Sequence, residues 1–243
     1  MNHKGIAYIL AFLTTILFFA FIIYQREEAL SFSPFTEHSQ MITKGIFNTI
    51  IVSVVALFLS LVFGFILHLF SISKVKYLNA ISDIFTEIIY GTPLLVLIVI
   101  TAFVIGPAFG GFNRNISGYV SLTIYMGPYM KNVFKSAISS IPQEQYMAIE
   151  LFGFTPYQKY RYIILPQVIR ILMPPMMNNF SMIIKGSALL NVLSYTEIYY
   201  AIRIAQSTTF KFVEGYLLMW ILYLMLTIPL SQLTKYIEKR WAL

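Results

Sequence analysis

The chain contains no cysteine, which excludes disulfides, thiolate metal sites and a cysteine nucleophile and leaves the redox compartment open. Charge is nearly as scarce. Only 11% of the 243 residues are charged, and just ten are acids, where a soluble domain carries about 25% charge. Nucleotide and catalytic signatures are missing too. There is no G-x-x-x-x-G-K-[ST] loop, no H-E-x-x-H and no G-x-S-x-G, and His3, His38 and His68 are scattered. The chain is therefore not itself an ATPase, and covalent catalysis finds no residues to carry it. No resident cofactor or metal is called for. What is abundant is apolar: 58% of residues, with 21 Phe and 17 Tyr. An ordinary soluble enzyme, a disordered chain and a coiled coil are excluded, leaving a chain whose solvent is mostly lipid.

A bilayer core of about 30 Å takes roughly 20 apolar residues per helix. The stretches Ile6–Tyr24, Ile46–Phe70, Ile84–Ile105, Tyr119–Ile138, roughly Gln167–Leu193 and Phe212–Leu233 meet that test. They predict an all-α integral membrane protein with six transmembrane helices. The first, with Lys4 in front and Gln25-Arg26-Glu27-Glu28 behind, is longer than a signal-peptide core and has no A-x-A site after it. It reads as a retained helix. With the N-terminus inside, the inner segments carry Lys4, Lys74, Lys76, Lys131, Lys135, Lys159, Arg161, Arg170, Lys235, Lys239 and Arg240. The outer segments carry only Arg26, Lys44, Arg114, Arg203 and Lys211, and Lys185 falls within a span. That excess predicts both termini in the cytoplasm. The net charge of +7 is thus a positive-inside signal and not a nucleic-acid-binding one.

One cytoplasmic segment, Ser139–Pro166, is too polar to span and too apolar for a solvated linker. Ser140-Ile141-Pro142-Gln143 opens a short helix over Gln143–Phe152. Gly153 stands where a helix end needs positive φ. Thr155-Pro156-Tyr157-Gln158 then repeats the start signal, with Thr155 as N-cap, Pro156 at the first helical position and Gln158 completing a capping box. This second helix runs to about Ile164, and Pro166 starts the next span. Helix, glycine corner, helix on the inner face serves either as an amphipathic hairpin on the lipid surface or as a docking element for a partner.

These residues resemble the permease subunits of type I ATP-binding-cassette (ABC) importers, whose cytoplasmic loop reads E-A-A, three residues, G, nine residues, I-x-L-P. Ala148, Gly153, Ile163, Leu165 and Pro166 fall on that pattern, while Met147 replaces its glutamate and Ile149 its second alanine. The likeness sharpens to the polar-amino-acid branch. Gly45 and Thr49 open the core as that branch does. Tyr90-Gly91-Thr92-Pro93-Leu94-Leu95-Val96 resembles R-G-T-P-L-L-V, with Tyr90 for the arginine. Leu165-Pro166-Gln167, Pro174-Pro175 and Asn178 resemble L-P-Q, P-P and N, and Lys185-Gly186-Ser187-Ala188-Leu189 resembles K-D-T-S-L with Gly186 for the aspartate. Glu214, Tyr216, Tyr223, Glu238 and Arg240 fit the closing pattern.

The resemblance covers about Gly45 to Arg240 and implies a five-helix core over 45–243; the apolar first stretch adds an N-terminal transmembrane helix and extracytoplasmic linker over residues 1–44. Within the core, the coupling segment 139–166 would sit in a groove of an ATPase subunit through Ala148, Glu150, Gly153, Phe154, Ile163, Leu165 and Pro166. ATP and magnesium would be bound by that subunit and not by this chain. A second permease, either a copy or a paralogue, would complete the pathway in a bacterial cytoplasmic membrane, and an extracytoplasmic binding protein would deliver the substrate. The membrane lipid is the remaining contact.

Alternating access needs interruptible helices. Pro93 removes a backbone donor and disfavours α at Thr92, so Gly91-Thr92-Pro93 predicts a break in the third span, lining a pathway or acting as a plain structural kink. Pro174-Pro175 predicts a second break. Beyond it, Asn178, Ser181 and Lys185, and then Ser187 and Asn191, follow helical spacing. Asn178, Lys185 and Ser187 are the candidate substrate contacts. Lys185 has three roles open to it: a substrate carboxylate, a polar group on the facing subunit, or the outer headgroups. Asp83 and Glu87 read as caps at the start of the third span, and Glu144 and Glu150 as contacts to a basic partner or as solvated charges. The rival reading is a self-sufficient secondary transporter or channel, which would call for inverted repeats and mid-membrane acids. Neither is evident in the sequence. A scaffold or sensor would leave the helix breaks unexplained.

Overall fold

The computed structural model describes residues 3–25 and 29–241, with the side chains of His3 and Lys4 excepted; Arg26, Glu27 and Glu28, used in the topology reading, lie outside the described residues. Within them every regular element is helical. Helix α1 (His3–Tyr24) carries an apolar window none of which is buried, and a ring contact between Phe19 and Trp220 at 5.2 Å ties it to the rest. A 3₁₀ turn over Ser33–His38 leads into α2 (Ser39–Ser71), 33 residues long. Helices α3 (Lys76–Gly91) and α4 (Leu94–Ile100) come next, the latter prolonged by a π-helical turn Thr101–Ile105 and a last turn Gly106–Ala108.

The long α5 (Arg114–Ser139) starts where the Asn113 side chain accepts a bond from the Ile116 amide at 2.9 Å, as an N-cap should. It packs along α2 at a close approach, since a Cβ on Gly64 would fall 2.8 Å from the Gly127 carbonyl oxygen. Small residues at such crossings let membrane helices come together. The short α6 (Gln143–Leu151) precedes α7 (Leu165–Gly186), which continues as a 3₁₀ turn over Ser187–Leu193. Helices α8 (Ile198–Thr209) and α9 (Phe212–Trp241) close the chain.

Three apolar clusters hold the bundle. Val52, Ala56, Ile98, Leu122, Met126, Ile183 and Leu190 join α2, α4, α5 and α7. Phe35, Ile42, Ile198, Ile202, Ala205 and Met219 seat α8. Ala137, Ile141, Ile149, Ile164 and Val168 pin the cytoplasmic segment beneath α5 and α7.

Three expectations need revision, and fewer helices than the six apolar stretches meet a test of length and apolarity. Among the described residues three helices, α1, α2 with its preceding turn, and α9, are long and apolar enough to cross a membrane, or four when the bent pair α3 and α4 counts as one span. Helices α5 and α7 have the length, 26 and 22 residues, but they carry asparagines, lysines and prolines that dilute their apolarity. Asp83 and Glu87 are not caps, because α3 begins at Lys76 and places both in its interior. The Pro174-Pro175 pair does not interrupt the fifth stretch: α7 runs through both, the loss being confined to their missing amide donors. Finally, the second cytoplasmic helix does not end before Pro166. Pro156–Gln158 passes through a π-helical turn, Lys159–Ile164, directly into α7. The Leu165 amide bonds to the Tyr160 carbonyl, five residues back, so the wider register absorbs the proline without a break.

Candidate functional site: a glycine corner and a helix break

The corner is built by local chemistry. At the end of α6 the amide of Phe152 bonds to Ala148 O (3.0 Å), that of Gly153 to Glu150 O (3.0 Å) and that of Phe154 to Ile149 O (3.3 Å), the Schellman pattern. Gly153 has φ +68° and open space where a Cβ would stand, so backbone conformation and not crowding demands glycine there. The predicted capping box is present: the Gln158 amide donates to Thr155 Oγ1 at 3.3 Å and the Thr155 amide to Gln158 Oε1 at 2.9 Å. Gln167 Nε2 donates to Gln145 Oε1 at 3.0 Å, tying α6 to α7. Lys159 sits 3.7 Å from Glu150 Oε1 and 4.8 Å above the Tyr146 ring. Burial pushes the Tyr146 phenol up from its ordinary value, with Tyr160 adding to it.

Ile149 is the inward face of this corner; its outward face is apolar and bare. Leu151 is 89% exposed and Phe152 81%, with Met147, Phe154 and Tyr157 also exposed. Ala148 and Ile163 are half-buried at its base, and Glu150, Leu165 and Pro166 are exposed. All seven candidate coupling residues therefore belong to one pinned, protruding unit.

The pathway candidates come together less completely. Between α3 and α4 the chain bends by 112° at Thr92-Pro93, both extended, and Thr92 Oγ1 donates back to Ile88 O at 2.6 Å. Leu94, the first residue past the bend, meets Gly186 so closely that a Cβ there would lie 3.0 Å from Leu94 Cδ2. The glycine where the resembled branch has an aspartate thus brings the Gly91-Thr92-Pro93 break beside Lys185. Lys185 is exposed and makes no hydrogen bond or ion pair among the described residues. Asn178 is exposed as well, but Asn179 is buried against Met130 Sδ at 3.6 Å. Ser187 parts from them: it is fully buried and its hydroxyl donates to Ile184 O at 2.8 Å. Pro174 and Pro175 are half-buried within α7.

Two buried charges were not legible as such. Lys131, counted above only as an inner basic residue, is buried with Nζ donating to Asp83 Oδ1 (3.1 Å), Thr86 Oγ1 (3.0 Å) and Ser82 O (3.3 Å), which fastens α3 to α5. Glu197 is fully buried and caps α8, accepting from the Tyr199 and Tyr200 amides (2.8 and 2.7 Å) and from Tyr223 Oη (2.7 Å). Asn48 Nδ2 donates to Thr196 O at 2.7 Å and the Ile198 amide to Thr49 Oγ1 at 3.2 Å, anchoring the same turn on α2. The signal was Glu197 directly before Ile198-Tyr199-Tyr200, an acidic cap in a stretch read as a loop.

An all-helical chain with a bent helix pair and an apolar, uncovered corner between helices has the parts of a multi-pass transporter subunit. Comparison with known proteins is consistent. A family model described as the inner membrane component of binding-protein-dependent transport systems matches residues 60–243. A probable glutamine ABC transporter permease protein, GlnM of Bacillus subtilis, is 32% identical over 207 residues, 84% of this chain and 94% of that protein. A putative glutamine transport system permease protein of Rickettsia prowazekii is 29% identical over 82% of this chain and 92% of its own length. Among solved structures, an amino acid ABC transporter crystallised with histidines matches at TM-score 0.79 and 24% identity, covering 88% of this chain and 100% of that one. The methionine transporter MetNI, facing inward, matches at 0.62 and 17%, covering 82% of this chain and 97% of the other.

The class is therefore that of ABC transporter permeases. The chain belongs to the family of inner membrane components of binding-protein-dependent transport systems.

Proposed function

We propose that this permease moves a polar amino acid, or a close analogue, inward across a bacterial cytoplasmic membrane by alternating access. The names of its relatives, glutamine permeases among them, support that substrate class. In this reading six spans cross the bilayer with both termini in the cytoplasm: one N-terminal helix with its linker over residues 1–44, then a five-helix core over 45–243. A second permease, a copy or a paralogue, completes the pathway, and an extracytoplasmic binding protein delivers the substrate. ATP and magnesium bind to separate ATPase subunits, and this chain holds no cofactor and catalyses no bond cleavage.

The observation that carries the reading is the corner around Gly153. Its apolar outer face, led by Leu151 and Phe152, is left uncovered by the described residues. Its base is bonded into α5 and α7, and α7 ends at the α3–α4 break. ATPase closure pushing the corner thereby reaches Lys185 and Gly91-Thr92-Pro93 through one continuous helical run. Ala148, Glu150, Gly153, Phe154, Ile163, Leu165 and Pro166 act in docking, and Pro174 and Pro175 in the pliancy of that run. Asn178 and Lys185 face the substrate route, whereas Ser187 supports it from within.

The test is a mild-detergent pull-down of the tagged chain from its native membrane, with Gly153→Asp beside it. An ATPase carrying a P-loop comes down with the parent chain and is lost from the variant. A parent chain that comes down alone and transports without ATP overturns the proposal.

A further inference from the structure

A spanning helix exposes polar side chains only where something other than hydrocarbon faces them. On α5 such residues form a line. Tyr125, Tyr129, Asn132 and Ser136 are spaced four, three and four residues apart, which keeps them on one side of a helix over about 16 Å. All four are half-buried or exposed, while Met126, Met130, Val133 and Ala137, one position further on, are buried. The end of α3 closes on this line: Asn132 Nδ2 donates to Tyr90 Oη at 2.6 Å, and the Tyr90 ring meets that of Tyr129 at 5.0 Å. Tyr125 and Tyr129 are 5.6 Å apart. Tyr129 thus touches both Tyr90 and Tyr125, and Tyr90 stands directly before the Gly91-Thr92-Pro93 break.

Helix α7 runs beside them in the opposite direction. Asn179 touches Met130, Gly186 approaches Leu122, and Leu190 fills the space at Gly118, which sets Asn178 level with Asn132 and Lys185 level with Tyr125. The charges near the tyrosines are unequal. Glu87, one turn before Tyr90, is exposed and makes no ion pair among the described residues. Asp83, another turn back, is 59% exposed and holds the buried Lys131. Lys135 lies toward His68 on α2. Ring faces are the negative part of an aromatic group's field and attract cations, and a carboxylate one turn away adds to that attraction.

Resting on the permease reading above, we propose that Tyr90, Tyr125 and Tyr129, with Glu87 beside them, form a subsite for an organic cation at the helix break, one that receives the ammonium group of the transported amino acid. Asn132 is a positioning residue that fixes the Tyr90 hydroxyl. Lys185, on the neighbouring helix at the Tyr125 end of the line, is the complementary charge for the carboxylate, so the substrate is oriented as it passes the bend.

A chain with no native cysteine allows a direct test. Gly91→Cys places one thiol next to Tyr90 in open space. In the reconstituted permease–ATPase complex, its reaction with a trimethylammonium methanethiosulfonate is compared with that of the sulfonate reagent, each rate divided by the same reagent's rate with a small free thiol. The expected result is at least a tenfold preference for the cation. Millimolar tetramethylammonium slows that reaction where equal sodium does not. Tyr129→Phe retains the preference, since the ring face remains, and Tyr129→Leu reduces it at least fivefold. Equal or reversed rates, no reaction with either reagent, no effect of tetramethylammonium, or a preference indifferent to Tyr129→Leu overturns the subsite. ATP-driven uptake by the parent complex is measured in parallel. Uptake that persists without the cation preference removes the subsite and leaves the importer reading standing.

Discussion

The glycine corner and the helix break are both places where a helix stops, and they stop it by different physics. At the corner, the stop and restart are written within fifteen residues. A positive-φ glycine ends α6, and Thr155, Pro156 and Gln158 cap the helical turn after it. Every bond that shapes the turn is between neighbours in sequence. At the break, Pro93 supplies only the missing donor. The 112° bend is held by residues far along the chain: Tyr90 by Asn132, Leu94 by Gly186, and α3 by Lys131. A corner that shapes itself is suited to being pushed as a rigid unit. A bend held largely by contacts from other helices is suited to shifting when they move. The contrast fits a device that receives force at one end and rearranges at the other.

If that contrast is right, substitutions at the distant ties should cost more stability than those at the corner's local bonds. The largest effect is expected for Glu197→Ala. It leaves two amides and the Tyr223 hydroxyl without their acceptor in a fully buried turn, a loss of about 2–4 kcal/mol. Thermal unfolding in detergent followed by Trp220 fluorescence reads it, and an unchanged midpoint contradicts it. Ile149→Ala comes next, at about 2–3 kcal/mol from the cavity left under the corner. Its signature is loss of ATPase association with the membrane bundle still folded. Gly186→Asp forces a side chain against Leu94 at 3.0 Å and costs about 1–3 kcal/mol by overpacking. The chain gains the aspartate of the motif it resembles and still transports worse, read as the rate of ATP-driven uptake. Thr155→Ala removes both bonds of the hydroxyl, the one it accepts from the Gln158 amide and the one it donates to Gln158 Oε1, and costs about 1 kcal/mol, visible as faster exchange of the Gln158 amide. The smallest is Glu150→Gln. The carboxylate is 75% exposed at 3.7 Å from Lys159, and such pairs contribute about 0–1 kcal/mol, so the unfolding midpoint should not change measurably.

The same contrast explains what the sequence disclosed. The corner was legible almost residue by residue because capping boxes and glycine stops are short-range signals. The missing end at Ile164 came from treating Pro166 as a boundary, when a π-helical turn carries the backbone through it. The long apolar stretches located α1, α2 and α9, since lipid selects length and hydropathy. Helix α8 was missed because it is short and is stabilised by packing on α2 and α9. The buried partners Lys131 and Glu197 were not visible, for a charge says nothing of what it will meet across a bundle. Ser187 and Lys185 lie two residues apart in sequence, yet one points into the core and the other out. Spacing alone placed both on the route. The line from Tyr125 to Ser136 keeps helical spacing, but it acquires meaning only once α3 and α7 are seen to flank it.

The central claim is that force applied at the Gly153 corner opens a route past the α3–α4 break. Its most direct test is uptake of labelled glutamine into proteoliposomes containing the permease, its ATPase and its binding protein, with ATP supplied or withheld and with Gly153→Asp in parallel. The expected result is uptake that requires ATP and is lost in the variant while the bundle retains its unfolding temperature. Uptake at the parent rate without ATP, or undiminished in Gly153→Asp, contradicts the claim.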